Sequence, residues 1–292
     1  MRSRSGWDGC PSLVVQYPRK TEFVTTARLI DAVDRVDARE RGHGHGRDRL
    51  LSFANILSED DAFVDLVDCP RTFPKVWGIL GWNICVYHTH LDVSPRLAEP
   101  PARPVAWHQD SMRVNEEIEC HPRPRLSLKI GYYLTDVSGT DWGNTLLLPG
   151  SHLRDVLDCP NDGASSPPGA IPLRVPAGAA LLLDRRLWHS RSPNFGPHTR
   201  KVIWIGYAYR WLRPKDDMTV LPLLAKADPI RRQLLGFASS ANSAYDPEDA
   251  DVPLRGWLQE HNPADARSSP HHETSQARPP LYGVRGKNTG RR

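Results

Sequence analysis

Proline constrains this chain more than any other feature. The 292 residues include 27 prolines. Proline locks φ and lacks a backbone N–H, so helix interiors and central strands accept it poorly. An all-helical fold is therefore disfavoured, and many short strands joined by loops are favoured.

The apolar periodicity fits this. Leu29, Ile30, Val33 and Val36 recur every three to four residues and predict a helix over 26–41. Ser58 reads as the N-cap of a short helix through Phe63, Leu66 and Val67, and Phe73 to Leu80 reads as another, with Pro74 in its first turn. Strands are expected over 82–93, 126–134, 145–148, 173–175, 180–184 and 200–209, with helical pattern returning at 229–235 and 254–261. In the strand over 126–134, Leu128, Ile130 and Tyr132 share a face, expected to point inward with Lys129 outward. The predicted class is mainly β with flanking helices, a double-stranded β-helix (jelly roll, cupin-like). Residues 1–24 form a poorly defined N-terminal segment, where Pro11 and Pro18 bracket Leu13 to Val15. Residues 25–263 form the domain, and 264–292 read as a disordered basic tail.

The formal charge of +4 belongs to that tail. Residues 264–292 hold six basic and two acidic side chains, and the rest of the chain is balanced with 32 of each sign. No basic face for nucleic acid is implied. No stretch is apolar enough to cross a membrane, and no secretory signal is visible. The cysteines (Cys10, Cys69, Cys85, Cys120 and Cys159) are odd in number and include no CxxC pair. A disulfide framework and a structural zinc site are both disfavoured, and a cytoplasmic location is expected.

The chemistry concentrates in Trp107-His108-Gln109-Asp110. In extended backbone, His108 and Asp110 project to one side and can reach one metal. His189, just after the apolar run Leu181 to Leu183, can complete the set. Two imidazoles and one carboxylate suit Fe(II) and leave coordination positions open. Arg200 lies eleven residues further on, in a strand whose inward face carries Val202 and Trp204. Its guanidinium suits the far carboxylate of a dicarboxylate co-substrate.

This ordered set, with Pro149-Gly150-Ser151-His152 between, resembles the phytanoyl-CoA dioxygenase family. The resemblance covers roughly 26–261, including the segment from Trp77 to Trp82 and that from Arg210 to Pro214. It implies a double-stranded β-helix that uses Fe(II), 2-oxoglutarate and O2, with ascorbate supportive. His108, Asp110 and His189 would bind the metal, and Arg200 the distal carboxylate. Tyr132 and His90 would be further co-substrate contacts. The family usually has a small hydroxyl residue two positions after the distal histidine; here Arg191 stands there. Related halogenases replace the carboxylate ligand with a small residue, so Asp110 points to hydroxylation or another oxidation. The expected partner is a small-molecule substrate, and the expected state a monomer or weak homodimer.

Other motifs compete. His90-Leu91-Asp92 is a second HxD, placed within a strand; Asp92 is expected either in a structural salt bridge or beside the substrate or a ligand. His88 reads as packing, Asn144 as a turn residue, His152 as a loop residue, and Trp188 as support behind a ligand. The alternatives are a metal hydrolase on the same triad, which leaves Arg200 without a role, and a non-catalytic jelly-roll binding protein.

Overall fold

The computed structural model describes residues 13–16, 25–100, 105–159, 165–217 and 221–266. The predicted tail beyond 266 and most of the N-terminal segment lie outside the described residues. Among the described residues, ten strands form two antiparallel sheets. They are β1 (Leu13–Gln16), β2 (Leu51–Ala54), β3 (Ile84–Ser94), β4 (Val105–His108), β5 (Ser127–Tyr133), β6 (Thr145–Leu147), β7 (Ile171–Pro172), β8 (Ala180–Asp184), β9 (His189–Arg191) and β10 (Arg200–Tyr209). The larger sheet runs β1-β8-β5-β10-β3-β2 and the smaller β4-β9-β6-β7. This is the jelly roll expected, with helices against the larger sheet.

Those helices are α1 (Thr26–Gly42), α2 (Asp61–Val64), α3 (Phe73–Leu80), α4 (Met112–Glu117), α5 (Leu221–Leu224), α6 (Pro229–Leu234) and α7 (Pro253–His261). Thr25 caps α1 by accepting from Arg28 N–H at 3.2 Å, and the helix buries Leu29, Ala32, Val33 and Val36. Asp60, not Ser58, caps α2; Ser58 ends a preceding 3-10 turn. The strand expected at 173–175 lies instead at β7, two residues earlier.

Two apolar layers result. One packs helices α1, α2, α3, α6 and α7 against the outer face of the larger sheet, through Leu128, Ile130 and Tyr132 of β5 and Ile203, Ile205 and Tyr207 of β10. The other fills the space between the sheets, with Tyr133, Val202 and Trp204 facing Leu147, Leu173 and Leu187. Each such fully buried side chain contributes roughly 1.5–3 kcal/mol.

The inner face of the larger sheet follows from register. Trp204 pairs with Gly131 on one side and His90 on the other, and Val202 pairs with Asp92. Lys129, Gly131 and Tyr133 therefore face the interior with His90, Asp92 and Trp204. This reverses the expectation for β5: Tyr132 faces the helices and Lys129 faces inward. Both faces of this sheet are covered, so an apolar stripe on β5 does not distinguish them.

Gly131 permits the inner packing. A β-carbon there would lie 2.6 Å from the Trp204 ring. The indole thus lies flat across the strand that a larger residue would obstruct.

Candidate metal centre

His108 ends β4 and His189 opens β9, and the two are register partners in the smaller sheet. Their rings approach to 4.3 Å between centroids. Asp110 lies beyond the strand end, so a turn rather than strand alternation delivers it. Its N–H donates to Arg185 O at 2.9 Å. Arg185 in turn donates to Asn115 Oδ1 at 2.8 and 2.7 Å, and Asn115 donates to Asp110 O at 3.2 Å. Ser111 follows in the left-handed region at φ 60 and shares a 2.7 Å hydrogen bond with the Tyr87 hydroxyl. Between the two candidate ligands, Gln109 donates to the carbonyls of Arg154 and Arg186 and accepts from Arg123.

One potential ligand atom from each of His108, Asp110 and His189 lies within 4.8 Å of the others. The imidazoles are held in matching orientations. His108 Nδ1 is 2.9 Å from Ala106 O, and His189 Nδ1 is 2.8 Å from Leu187 O. A carbonyl only accepts, so each Nδ1 carries a proton, and in the neutral ring Nε2 is the nitrogen left to bind a metal. His189 Nε2 lies 3.9 Å from Asp110 Oδ1. Burial pushes the His189 imidazole down to about 3, which keeps it neutral. Burial pushes the Asp110 carboxyl up, but Lys129 and the two imidazoles more than offset this and hold it below the usual carboxylate range. Lys129 Nζ stands 2.8 Å from Asp110 Oδ2.

A second polar group lies between the sheets. Arg200, at the start of β10, is buried and donates weakly to Thr145 Oγ1 at 3.4 Å. Its Nε and Nη1 have no hydrogen-bond partner. Thr145 shares a 2.6 Å hydrogen bond with the Tyr133 hydroxyl, and the guanidinium lies 5.4 Å from the Tyr133 ring centre. Gly143, at φ +70, makes room: a β-carbon there would lie 2.7 Å from Arg200 Cδ.

Asp92 Oδ2 lies 3.8 Å from Arg200, and Trp204 Nε1 donates to it at 3.3 Å. Burial pushes the Asp92 carboxyl up, but His90, Arg200 and Arg191 more than offset this and lower it. Burial, with Arg200 adding, pushes Arg191 down to about 10.

His90 stacks between His88 and Trp204, with centroids 4.7 and 6.0 Å away. Its Nδ1 has no hydrogen-bond partner, and burial pushes its imidazole down to about 3. His88 pairs with Asp216 at 2.9 Å.

Of the six residues singled out in the sequence, His108, Asp110, His189, Arg200 and His90 face the interior. Tyr132 does not. Its hydroxyl shares a 2.7 Å hydrogen bond with Thr72 and donates to Leu66 O at 3.3 Å, on the helix side of the sheet. The adjacent Tyr133 occupies the inner position. Lys129, Arg191, Tyr133 and Thr145 were not singled out as site residues. Parity with Gly131 opposite Trp204 is the signal that groups Lys129 with Tyr133. Asn144 is buried directly before β6 rather than in a turn, donating to Val137 O and Leu173 O. Trp188 anchors a loop, its indole donating to Arg154 O at 2.9 Å.

A family model described as phytanoyl-CoA dioxygenase (PhyH) matches residues 19–202. Among solved structures, the chain is similar to HygX from Streptomyces hygroscopicus with nickel and 2-oxoglutarate bound. Identity is 15%, coverage is 70% of this chain and 85% of that one, and the TM-score is 0.52. It is similar to EvdMO1 at 22% identity over 68% of this chain and 47% of that one, with a TM-score of 0.51. HygX with nickel, 2-oxoglutarate and hygromycin B bound is 12% identical over 70% and 85% of the two chains, with a TM-score of 0.50. These likenesses concern the fold. No curated protein matches the sequence. The family match spans well over half of the chain, and its His-x-Asp and distal histidine converge between the sheets: the chain belongs to the phytanoyl-CoA dioxygenase family.

Proposed function

We propose that this protein is an Fe(II)- and 2-oxoglutarate-dependent dioxygenase that hydroxylates a small organic molecule. One observation carries the proposal. A preset pair of imidazole Nε2 donors and a carboxylate share the space between the sheets with a buried guanidinium that has unsatisfied N–H groups. The donor set suits Fe(II). The unsatisfied guanidinium suits a carboxylate, since a buried N–H without a partner costs about 1–3 kcal/mol.

His108, Asp110 and His189 would hold the metal, and Arg200 would take the distal carboxylate of 2-oxoglutarate. When bound, Fe(II), 2-oxoglutarate and O2 supply the oxidising chemistry, with release of succinate and CO2. The protein's contribution is orientation and exclusion of water. Ala106 O and Leu187 O hold both rings with Nε2 available. The Arg185–Asn115 pair fixes the turn that carries Asp110. Leu147, Leu187, Val202 and Trp204 wall the space with apolar surface, which strengthens each electrostatic contact inside.

The test is turnover without added substrate. Purified protein supplied with Fe(II), ascorbate and 2-oxoglutarate should form succinate slowly. Absence of succinate together with absence of 2-oxoglutarate binding would overturn the proposal. Activity restored by Zn(II) without 2-oxoglutarate would identify a metal hydrolase instead. Screening metabolite pools by mass spectrometry for a product with one added oxygen atom would then identify the substrate.

A further inference from the structure

The proposed function uses one guanidinium at the far end of the site, but the structure brings two there. Arg191 follows His189 by two residues on β9, so alternation turns it to the same inner face. Arg191 Nη1 lies 3.9 Å from Asp92 Oδ2, and Arg200 Nη1 lies 3.8 Å from that same oxygen. Arg191 also donates to Ser94 Oγ at 3.5 Å. The three side chains are 17% (Arg191), 2% (Arg200) and 14% (Asp92) exposed. Two cations thus converge on one anion between the sheets.

The charges do not balance. Asp92 can neutralise one guanidinium, and one positive charge remains. A buried charge without a partner is strongly disfavoured. Arg200 Nε and Nη1 lack hydrogen-bond partners, which marks where the missing anion belongs. Thr145 and Tyr133 border the same guanidinium and add hydroxyl groups.

We propose that Arg191 is a second cation of the co-substrate pocket, forming with Arg200 and Asp92 a cradle charge-matched to one carboxylate. This rests on the oxygenase function proposed above. Asp92 offsets the extra arginine, so the pocket retains the net charge that a lone arginine would give. Removing Arg191 alone leaves Asp92 to neutralise Arg200, and the pocket no longer attracts a carboxylate. Removing both restores a lone cation.

The experiment measures equilibrium binding of 2-oxoglutarate to Ni(II)-loaded protein by calorimetry, for wild type, Arg191→Ser, Asp92→Asn and the double variant. Arg191→Ser should weaken binding by about tenfold or more. Asp92→Asn should bind at least as tightly as wild type. The double variant should return to within about threefold of wild type. Nickel affinity should stay unchanged throughout, which separates pocket charge from damage to the metal centre. Wild-type affinity in Arg191→Ser, or a double variant no better than Arg191→Ser, would overturn the proposal. If Arg191→Ser does not fold, Asp92→Asn decides alone: weaker binding would show that Asp92 merely anchors the arginines. Failure of the wild type to bind 2-oxoglutarate, together with absence of succinate formation, would instead overturn the oxygenase function, and the cradle with it.

Discussion

Lys129 places its ammonium 2.8 Å from Asp110 Oδ2, on the carboxylate oxygen other than the one nearer His189. The lysine thus sits beside a carboxylate proposed to bind a divalent cation. It also lies 5.2 Å from the Trp204 ring centre. Its charge repels an incoming metal ion across a short, poorly solvated distance. Lys129→Met should tighten Ni(II) binding by about tenfold, measured by competition with a chelator of known affinity. Weaker binding would show that Lys129 mainly holds Asp110 in position.

Gly131 and Trp204 provide a steric test. A β-carbon at Gly131 would lie 2.6 Å from the indole, and its φ is outside the left-handed region, so contact alone is at issue. Gly131→Ala should destabilise the protein by about 1–3 kcal/mol through overpacking. The near-ultraviolet circular dichroism of Trp204 should change with it. An unchanged spectrum and stability would mean that the indole has room to move.

The neighbouring tyrosines should separate stability from binding. Tyr132→Phe loses the contacts with Thr72 and Leu66. It should cost about 1 kcal/mol in urea unfolding and leave 2-oxoglutarate binding intact. Tyr133→Phe releases Thr145, which borders Arg200, and should weaken that binding by about threefold. The reverse outcome would contradict the assignment of faces on β5.

His90 gives the metal-free protein an acid sensitivity. An unfolded histidine takes up a proton near pH 6.5, whereas burial holds the folded His90 down to about 3. Between these values the unfolded state binds the additional proton. The contribution of neutral His90 is therefore intact above pH 6.5 and declines as pH falls toward 3, by about 1.4 kcal/mol per unit. His90→Gln should remove about 2 kcal/mol of the stability difference between pH 6.5 and pH 5. His189, displaced in the same direction, retains its own share. Urea midpoints at the two pH values provide the measurement, and an unchanged difference would count against a neutral buried His90.

Much of this was legible in the sequence, because its signals are local. Helix α1 follows from the spacing of Leu29, Val33 and Val36, and α3 from the apolar run opened by Phe73-Pro74. Strand β10 follows from its length and β-branched content. The His-x-Asp pair, the distal histidine and Arg200 were recognisable from order and spacing. What sequence did not resolve was which face of β5 pointed inward, since Leu128, Ile130 and Tyr132 pack against helices while Gly131 and Tyr133 pack between sheets. Only register against Trp204 separates them, and register is a long-range property. The proximity of Arg191 and Asp92 was hidden for a related reason: they come from strands in different sheets, 99 positions apart in the chain.

Strand β1 has a consequence for handling the protein. It pairs along all four residues with β8, from Leu13 opposite Leu183 to Gln16 opposite Ala180. It forms the outermost strand at that end of the larger sheet. A shortened form starting at the first helix would leave one side of β8 without backbone partners. A bare strand edge is a template for another chain, so trimming this short leading segment moves the free edge to the longer β8, whose five residues are all buried, and should raise self-association.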